Sequence, residues 1–231
     1  MSATATTAAT PTAATPTAFG FPVFLEVRGR TAFVAGGGGE AAHKASALAE
    51  LGAQVRVWAA EHCATGRLTG AAGIELVDGP YRPELLDGAL LAVVFTGDRA
   101  LNRRIAADAR SRHVLVNVVD DVSSCDWSAP AILRRGGLTV AVASAGIAPA
   151  LAVRLRDRFA EEVGPEFADL VEQFGELRPR IVASGRSFAD RRALWYALVD
   201  GPALDHLRAG RPAAAREVLE AQLDAWLEAG G

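Results

Sequence analysis

Lysine is almost missing from this 231-residue chain: Lys44 is the one lysine among 24 basic residues, and the rest are arginines. There are two cysteines, Cys63 and Cys125, with no metal-ligand spacing. That excludes a disulfide framework and a cysteine-built metal site, and makes a reducing cytoplasm the expected location. The histidines His43, His62, His113 and His206 do not cluster by spacing, so no resident metal site is expected. No apolar run is long enough to span a bilayer. The formal net charge is only −3, which argues against wholesale binding to nucleic acid or an anionic membrane. Residues 1–18 are nearly all Ala, Thr and Pro. They lack the basic and apolar regions of a secretory signal and have little to bury, so a disordered tail is expected.

Glycine is where the chain is rich. Thr31 to Ala35 is an apolar run that meets Gly36-Gly37-Gly38-Gly39, then an alanine-rich segment with helical character through Leu51. Gly36, Gly38 and Ala41 fit G-x-G-x-x-A, the phosphate-binding turn of a dinucleotide-binding βαβ unit. Gly36 permits the sharp turn, Gly38 leaves room for a pyrophosphate, and Ala41 lets helix and strand pack closely. The free N–H groups opening the helix, near Gly38, Gly39 and Glu40, would face the phosphates.

The rest of the first half alternates between strand and helix. Strands are predicted at Gln54 to Ala59, Ile74 to Val77, Leu90 to Thr96 and Val114 to Val119, with a helix at Arg99 to Arg110. This is the pattern of a doubly wound α/β sheet, in which ligands bind beyond the carboxyl ends of strands. Gly36 to Glu40, Ala60-Glu61, Thr96 to Asp98 and Asn117 to Asp121 then surround one crevice. After Asp126 the pattern changes: a strand is expected at Leu138 to Ala143 and a helix at Ala148 to Glu161. Helices follow over 165–184, 187–199 and 201–228, with breaks at Gly185 and Gly201-Pro202. The expected organisation is a tail (1–18), a Rossmann-type NAD-binding domain (19–126), a small α/β dimerisation or connecting region (127–163) and a helical C-terminal domain (164–231).

An acidic residue after the second strand commonly holds the ribose hydroxyls, and Glu61 is the candidate, beside Ala60. No Arg or Lys stands at that turn to receive a 2′-phosphate, so NAD is expected over NADP. Asp120 and Asp121 end the strand carrying Asn117, where a carboxylate is well placed for proton transfer. A turn or cap aspartate is the bland alternative for either residue.

At this point the chain resembles the precorrin-2 dehydrogenase family, the dehydrogenase module of siroheme synthase. The likeness is carried by Phe21-Pro22-Val23-Phe24, the glycine turn with Lys44, Leu51-Gly52-Ala53-Gln54-Val55, Gly79-Pro80-Tyr81, Thr96, Asp98, Asn102, Asn117-Val118-Val119-Asp120, Pro130-Ala131 and Ser144 to Pro149. It covers about residues 20–175 well and the remainder loosely. The resemblance implies a homodimer that oxidises precorrin-2 to sirohydrochlorin with NAD, in siroheme biosynthesis. Some members also act as ferrochelatase, inserting ferrous iron into sirohydrochlorin, and cobalt is a further metal to consider. It implies Asp120 as the catalytic carboxylate, with cofactor contacts from Gly36, Gly38, Gly39, Glu40, Ala60, Glu61 and Thr96. The polycarboxylate tetrapyrrole would meet Asn117, Ser144, Gly146 and Arg156. The tetrapyrrole itself supplies the metal ligands, so chelation needs no fixed metal site in the protein.

The match departs at four places. Glu40 stands where an apolar residue is usual, Ala42 where a charge is common, Gly97 where an Asp is expected and Ala145 where a Gly is expected. Glu40 matters most, because a carboxylate near a pyrophosphate is repelled unless its side chain turns away. Two other readings therefore stand beside the dehydrogenase: a degenerate, non-catalytic family member binding tetrapyrrole or nucleotide, and a Rossmann dehydrogenase for a small metabolite. The chain length leaves no room for the methyltransferase domain of fused siroheme synthases.

Overall fold

The computed structural model describes residues 21–59, 68 and 70–229. The expected tail, Ala60 and Glu61 lie outside the described residues. The chain divides into two compact units, one of residues 1–129 with 145–147, the other of 130–144 with 148–231.

The first unit is a five-stranded sheet, every pair parallel, in the order β3-β2-β1-β4-β5. Its strands are β1 (Thr31–Ala35), β2 (Gln54–Trp58), β3 (Ile74–Val77), β4 (Ala89–Val94) and β5 (Leu115–Val118). Helices α1 (Gly39–Glu50) and α2 (Arg99–Ser111) connect β1 to β2 and β4 to β5. Successive side chains of a strand point to opposite faces, and β1 is buried on both. Phe33 and Ala35 join Ala92, Val94, Val116 and Val118 against Ile105, Ala106 and Ala109 of α2. Ala32 and Val34 join Val55, Val57, Leu91 and Val93 against Ala41 and Ala45 of α1. Two helices on two faces of a parallel sheet make this the doubly wound α/β fold expected from the sequence.

The second unit opens with an antiparallel hairpin of β6 (Ala131–Arg135) and β7 (Leu138–Val142). Only Gly136 and Gly137 separate the strands, and Gly136 has φ +54°, as a tight two-residue hairpin requires. Strand β6 was not expected, because its two arginines mask a short apolar run. The glycine pair was the available signal. Helices α3 (Pro149–Glu162), α4 (Glu166–Ala183), α5 (Phe188–Val199), α6 (Ala203–Arg208) and α7 (Pro212–Glu228) follow. The single helix expected over 201–228 is in fact two. Gly210 adopts φ +68° and Pro212 starts α7, so the backbone turns at Gly210-Arg211 before a new helix begins. Leu170, Leu177 and Ile181 of α4 pack with Leu194 and Leu198 of α5, Leu207 of α6 and Leu219 and Leu223 of α7. Their four- and seven-residue spacing gives α4, α5 and α7 one buried stripe each. No helix among the described residues is long and apolar enough to cross a membrane.

Ala145, in the connection before α3, carries φ +52°. An L-residue with a Cβ is strained there by about 1–2 kcal/mol, partly offset by the greater entropy glycine loses on folding. Ala145→Gly should therefore stabilise the protein by about 0.5–1 kcal/mol, read as a rise in Tm of about 1–4 °C by calorimetry. A lower Tm would contradict the strain.

Candidate functional site

The sheet order places its topological switch between β1 and β4. The end of β1 is tied to both neighbouring strands: Gly36 N–H donates to Trp58 O of β2 at 2.8 Å, and Phe95 N–H, just after β4, donates to Ala35 O at 2.7 Å. Gly36 has φ +144°, and a Cβ on it would collide with the Phe95 carbonyl oxygen and lie 2.9 Å from its carbon. It would also stand 3.2 Å from the Ala41 Cβ, so the turn demands glycine here.

Gly38 and Gly39 are glycine for a different reason. Gly38 caps α1 at an ordinary φ of −83°, with no side chain accepting from the first turn. Nothing lies within 4 Å of a Cβ built on Gly38 or Gly39. That open space faces the positive end of a twelve-residue helix whose first N–H groups have no intrahelical acceptor. This is a cradle for an anion, and it fits the pyrophosphate of a dinucleotide. Glu40 does not spoil it. Its carboxylate pairs with Lys44 Nζ at 3.5 Å, one turn along the helix and away from the glycine turn.

After β4, the loop is built around Asn102, which is buried. Its Oδ1 accepts from Thr96 N–H at 3.1 Å and from Thr96 Oγ1 at 2.6 Å. Asp98 Oδ1 caps α2 by accepting from Ala100 and Leu101 N–H at 2.8 and 3.2 Å. Gly97, between them, has φ +83° in open space, a conformation that glycine takes without strain where an Asp was expected.

After β5 the two aspartates separate. Asp121 accepts from Ser123 Oγ at 2.6 Å, Ser124 Oγ at 3.0 Å and Arg103 Nε at 3.3 Å. The two serine hydroxyls, foremost, hold its carboxyl down at about 2, with Arg103 adding to the effect. Asp120 is exposed, stands at φ +63°, and has no hydrogen bond or ion pair among the described residues. Asp tolerates the left-handed region better than most residues, but the conformation is still a held one. Asn117, expected at the substrate, donates from Nδ2 to Trp127 O at 2.9 Å, inside its own loop.

Gly36 to Glu40, Thr96, Asn117 and Asp120 thus stand at the carboxyl ends of three neighbouring strands, β1, β4 and β5. Ser144 and Arg156 belong to the second unit. Ser144 Oγ accepts from Ala148 N–H at 3.1 Å, ahead of α3. Arg156 is engaged by its neighbour Asp157 at 2.6 Å. Gly146, in the first unit, has φ +76°, and a Cβ there would stand 3.2 Å from Val122. Among the described residues no group of three or more His, Cys, Asp or Glu could hold a metal ion. Sequence reasoning missed the Glu40–Lys44 pair, whose four-residue spacing was visible, and the bonding of Asp121, for which no spacing rule exists.

The two glycines separate stability from binding. Gly36→Ala should cost about 2–4 kcal/mol through overpacking and backbone strain. Gly38→Ala should leave Tm unchanged yet weaken NAD binding by about tenfold or more, since its Cβ enters the open cradle. Denaturant unfolding and calorimetric NAD titration of both variants check this. Unaltered NAD affinity in Gly38→Ala would refute the cradle.

Comparison with known proteins supplies the relatives. Residues 23–131 match the NAD_binding_7 family, described as NAD(P)-binding, and residues 166–223 match the sirohaem synthase dimerisation region. That second match falls on α4 to α7, C-terminal to the 127–163 segment expected as the dimerisation region. The siroheme synthase of Chromobacterium violaceum is 37% identical over 206 residues, covering 89% of this chain and 44% of that protein. The siroheme synthase of Photorhabdus laumondii is 35% identical over 204 residues, covering 88% and 43%. The chain therefore spans less than half the length of these relatives. A solved structure of SirC, a precorrin-2 dehydrogenase, superposes with a TM-score of 0.68 at 22% identity, over 87% of this chain and 99% of that one. That likeness concerns the fold alone. With an NAD(P)-binding match and a sirohaem synthase dimerisation match in sequence order, and relatives above 30% identity, the chain is similar to siroheme synthases over less than half of their length.

Proposed function

We propose that this chain is an NAD-dependent dehydrogenase oxidising precorrin-2 to sirohydrochlorin, with Asp120 as its catalytic base. One observation carries the reading: a carboxylate with no partner among the described residues, on a held turn, at the same sheet edge as an open glycine cradle. Gly36, Gly38, Gly39 and Glu40 would hold the pyrophosphate through their backbone, Thr96 would line the cofactor, and Ala60 and Glu61 would meet the ribose. When bound, NAD supplies the hydride acceptor. The macrocycle loses a proton as well as a hydride, and Asp120 takes that proton. An exposed carboxylate that no neighbour occupies is free to accept it, whereas Asp121 is tied by three donors.

Ser144, Gly146 and Arg156 are the proposed contacts to the substrate, whose carboxylates suit N–H groups and guanidinium. Asn117 contributes by holding the loop that carries Asp120. The choice of NAD over NADP rests on Glu61 and on the absence of a basic residue at that turn. A homodimer is supported by the match to a dimerisation region and by apolar side chains that α5 leaves exposed, Phe188, Tyr196 and Val199. The scarcity of cysteine supports a cytoplasmic location. Ferrochelation of sirohydrochlorin is a second activity for the same carboxylate, which would take the pyrrole protons as ferrous iron or cobalt enters. The degenerate reading loses its main support, since Glu40 is held by Lys44 beside an intact cradle.

The test is anaerobic incubation with precorrin-2 and NAD, following NADH and sirohydrochlorin absorbance. Turnover is expected in the wild-type chain. Asp120→Ala should lower it by about 100-fold or more while NAD affinity stays within about twofold. No NAD-dependent turnover, or an unimpaired Asp120→Ala, would overturn the assignment.

A further inference from the structure

Strand β5 ends the sheet, so its outer edge has no strand partner. Bare edge N–H and C=O groups are costly when buried and sticky when exposed. Here the segment after the Asp120 turn runs back along that edge and satisfies it, largely with side chains. Val116 N–H donates to Asp126 Oδ2 at 3.1 Å, and Asp126 N–H returns a bond to Val116 O at 2.7 Å. Arg110 Nε holds the other carboxylate oxygen of Asp126 at 2.8 Å. The Trp127 indole N–H donates to Leu115 O at 3.3 Å.

The bonds nearest Asp120 converge on one sulfur. Cys125 Sγ accepts from Val118 N–H at 3.1 Å. The same thiol lies 3.2 Å from Val118 O and 3.3 Å from Asp121 O, the carbonyls on either side of the Val119-Asp120 turn. Asn117 Nδ2 approaches it at 3.6 Å. Asp121 N–H closes the turn onto Val118 O at 3.2 Å. Burial pushes the Cys125 thiol up, so the group stays protonated and serves as donor and acceptor together. Asp120 is thus the loose side chain on a backbone pinned at both ends, and its left-handed φ of +63° is what that pinning enforces.

We propose that Cys125 is the positioning residue for Asp120: its neutral thiol clamps Val118 to Asp121 and so sets the direction of the Asp120 carboxylate. This rests on the dehydrogenase reading for its kinetic consequence, but the clamp itself is a property of the fold. Serine keeps both hydrogen-bonding roles of the thiol, whereas alanine removes them.

The experiment compares the full wild-type chain with Cys125→Ala and Cys125→Ser. Hydrogen–deuterium exchange is read at residues 118–121, alongside kcat, KM for precorrin-2 and the Kd for NAD. In Cys125→Ala, exchange of the Asp121 N–H should speed up by about tenfold or more. Its kcat should fall about tenfold with KM and Kd within about twofold, and Cys125→Ser should recover most of both losses. Unchanged exchange in Cys125→Ala overturns the clamp, whether or not the wild-type chain turns over. Faster exchange with an unaltered kcat overturns the positioning role, as does a parallel loss of NAD affinity, which general destabilisation would produce. A wild-type chain without turnover defeats the dehydrogenase reading alone, and the exchange result still decides the clamp.

Discussion

The backbone of Gly36 passes so close to the carbonyl of Phe95 that no side chain fits between them, and the cofactor half of the molecule depends on that approach. It lets β1 end beside β4 at the switch point of the sheet and sends the chain straight into α1. The helix then begins with its first N–H groups over open space and no side chain to cap them. An ordinary helix start would have spent a Ser, Thr or Asp there, as α2 does with Asp98. Leaving α1 uncapped has a stability cost that a bound anion offsets.

Charge at the rim is arranged so that each carboxylate has a separate fate. Glu40 is drawn down α1 by the sole lysine of the chain. Asp98 is absorbed by the start of α2, and Asp121 by two serines and an arginine. Asp126 is taken up by the edge of β5 and Arg110. Among the described residues that follow β1, β4 and β5, Asp120 is the carboxylate that remains. A site with one uncommitted carboxylate beside an anion cradle is chemically different from one lined by several, because neighbouring like charges would contend for protons and repel a phosphate.

Much of this was legible in the sequence. The bounds of β1 and β3 follow from apolar runs ended at Gly36 and at Asp78-Gly79-Pro80, and the fold class from strands alternating with helical segments. Hairpin β6–β7 was half read, since Arg134 and Arg135 hide a strand that the Gly136-Gly137 pair announces. The break before Pro212 was overlooked because helical periodicity resumes after it. The site was legible at the level of residue types rather than roles. Spacing alone does not distinguish Asp120 from Asp121; the resemblance favours Asp120, and the donors around Asp121 and the backbone angle of Asp120 set the two apart in the structure. Asn117 was expected to face a substrate, yet its side chain bonds Trp127, and Arg156 has its sequence neighbour Asp157 as a partner. Those partners come from tertiary and rotameric detail, which periodicity does not encode.

The central claim is that the glycine cradle and Asp120 serve one bound dinucleotide. A crystal structure of the protein with NAD tests it most directly. The account predicts the pyrophosphate on the first-turn N–H groups of α1, over Gly38 and Gly39, with the nicotinamide ring beside the Asp120 turn. A dinucleotide bound elsewhere, or a nicotinamide directed away from Asp120, would contradict it.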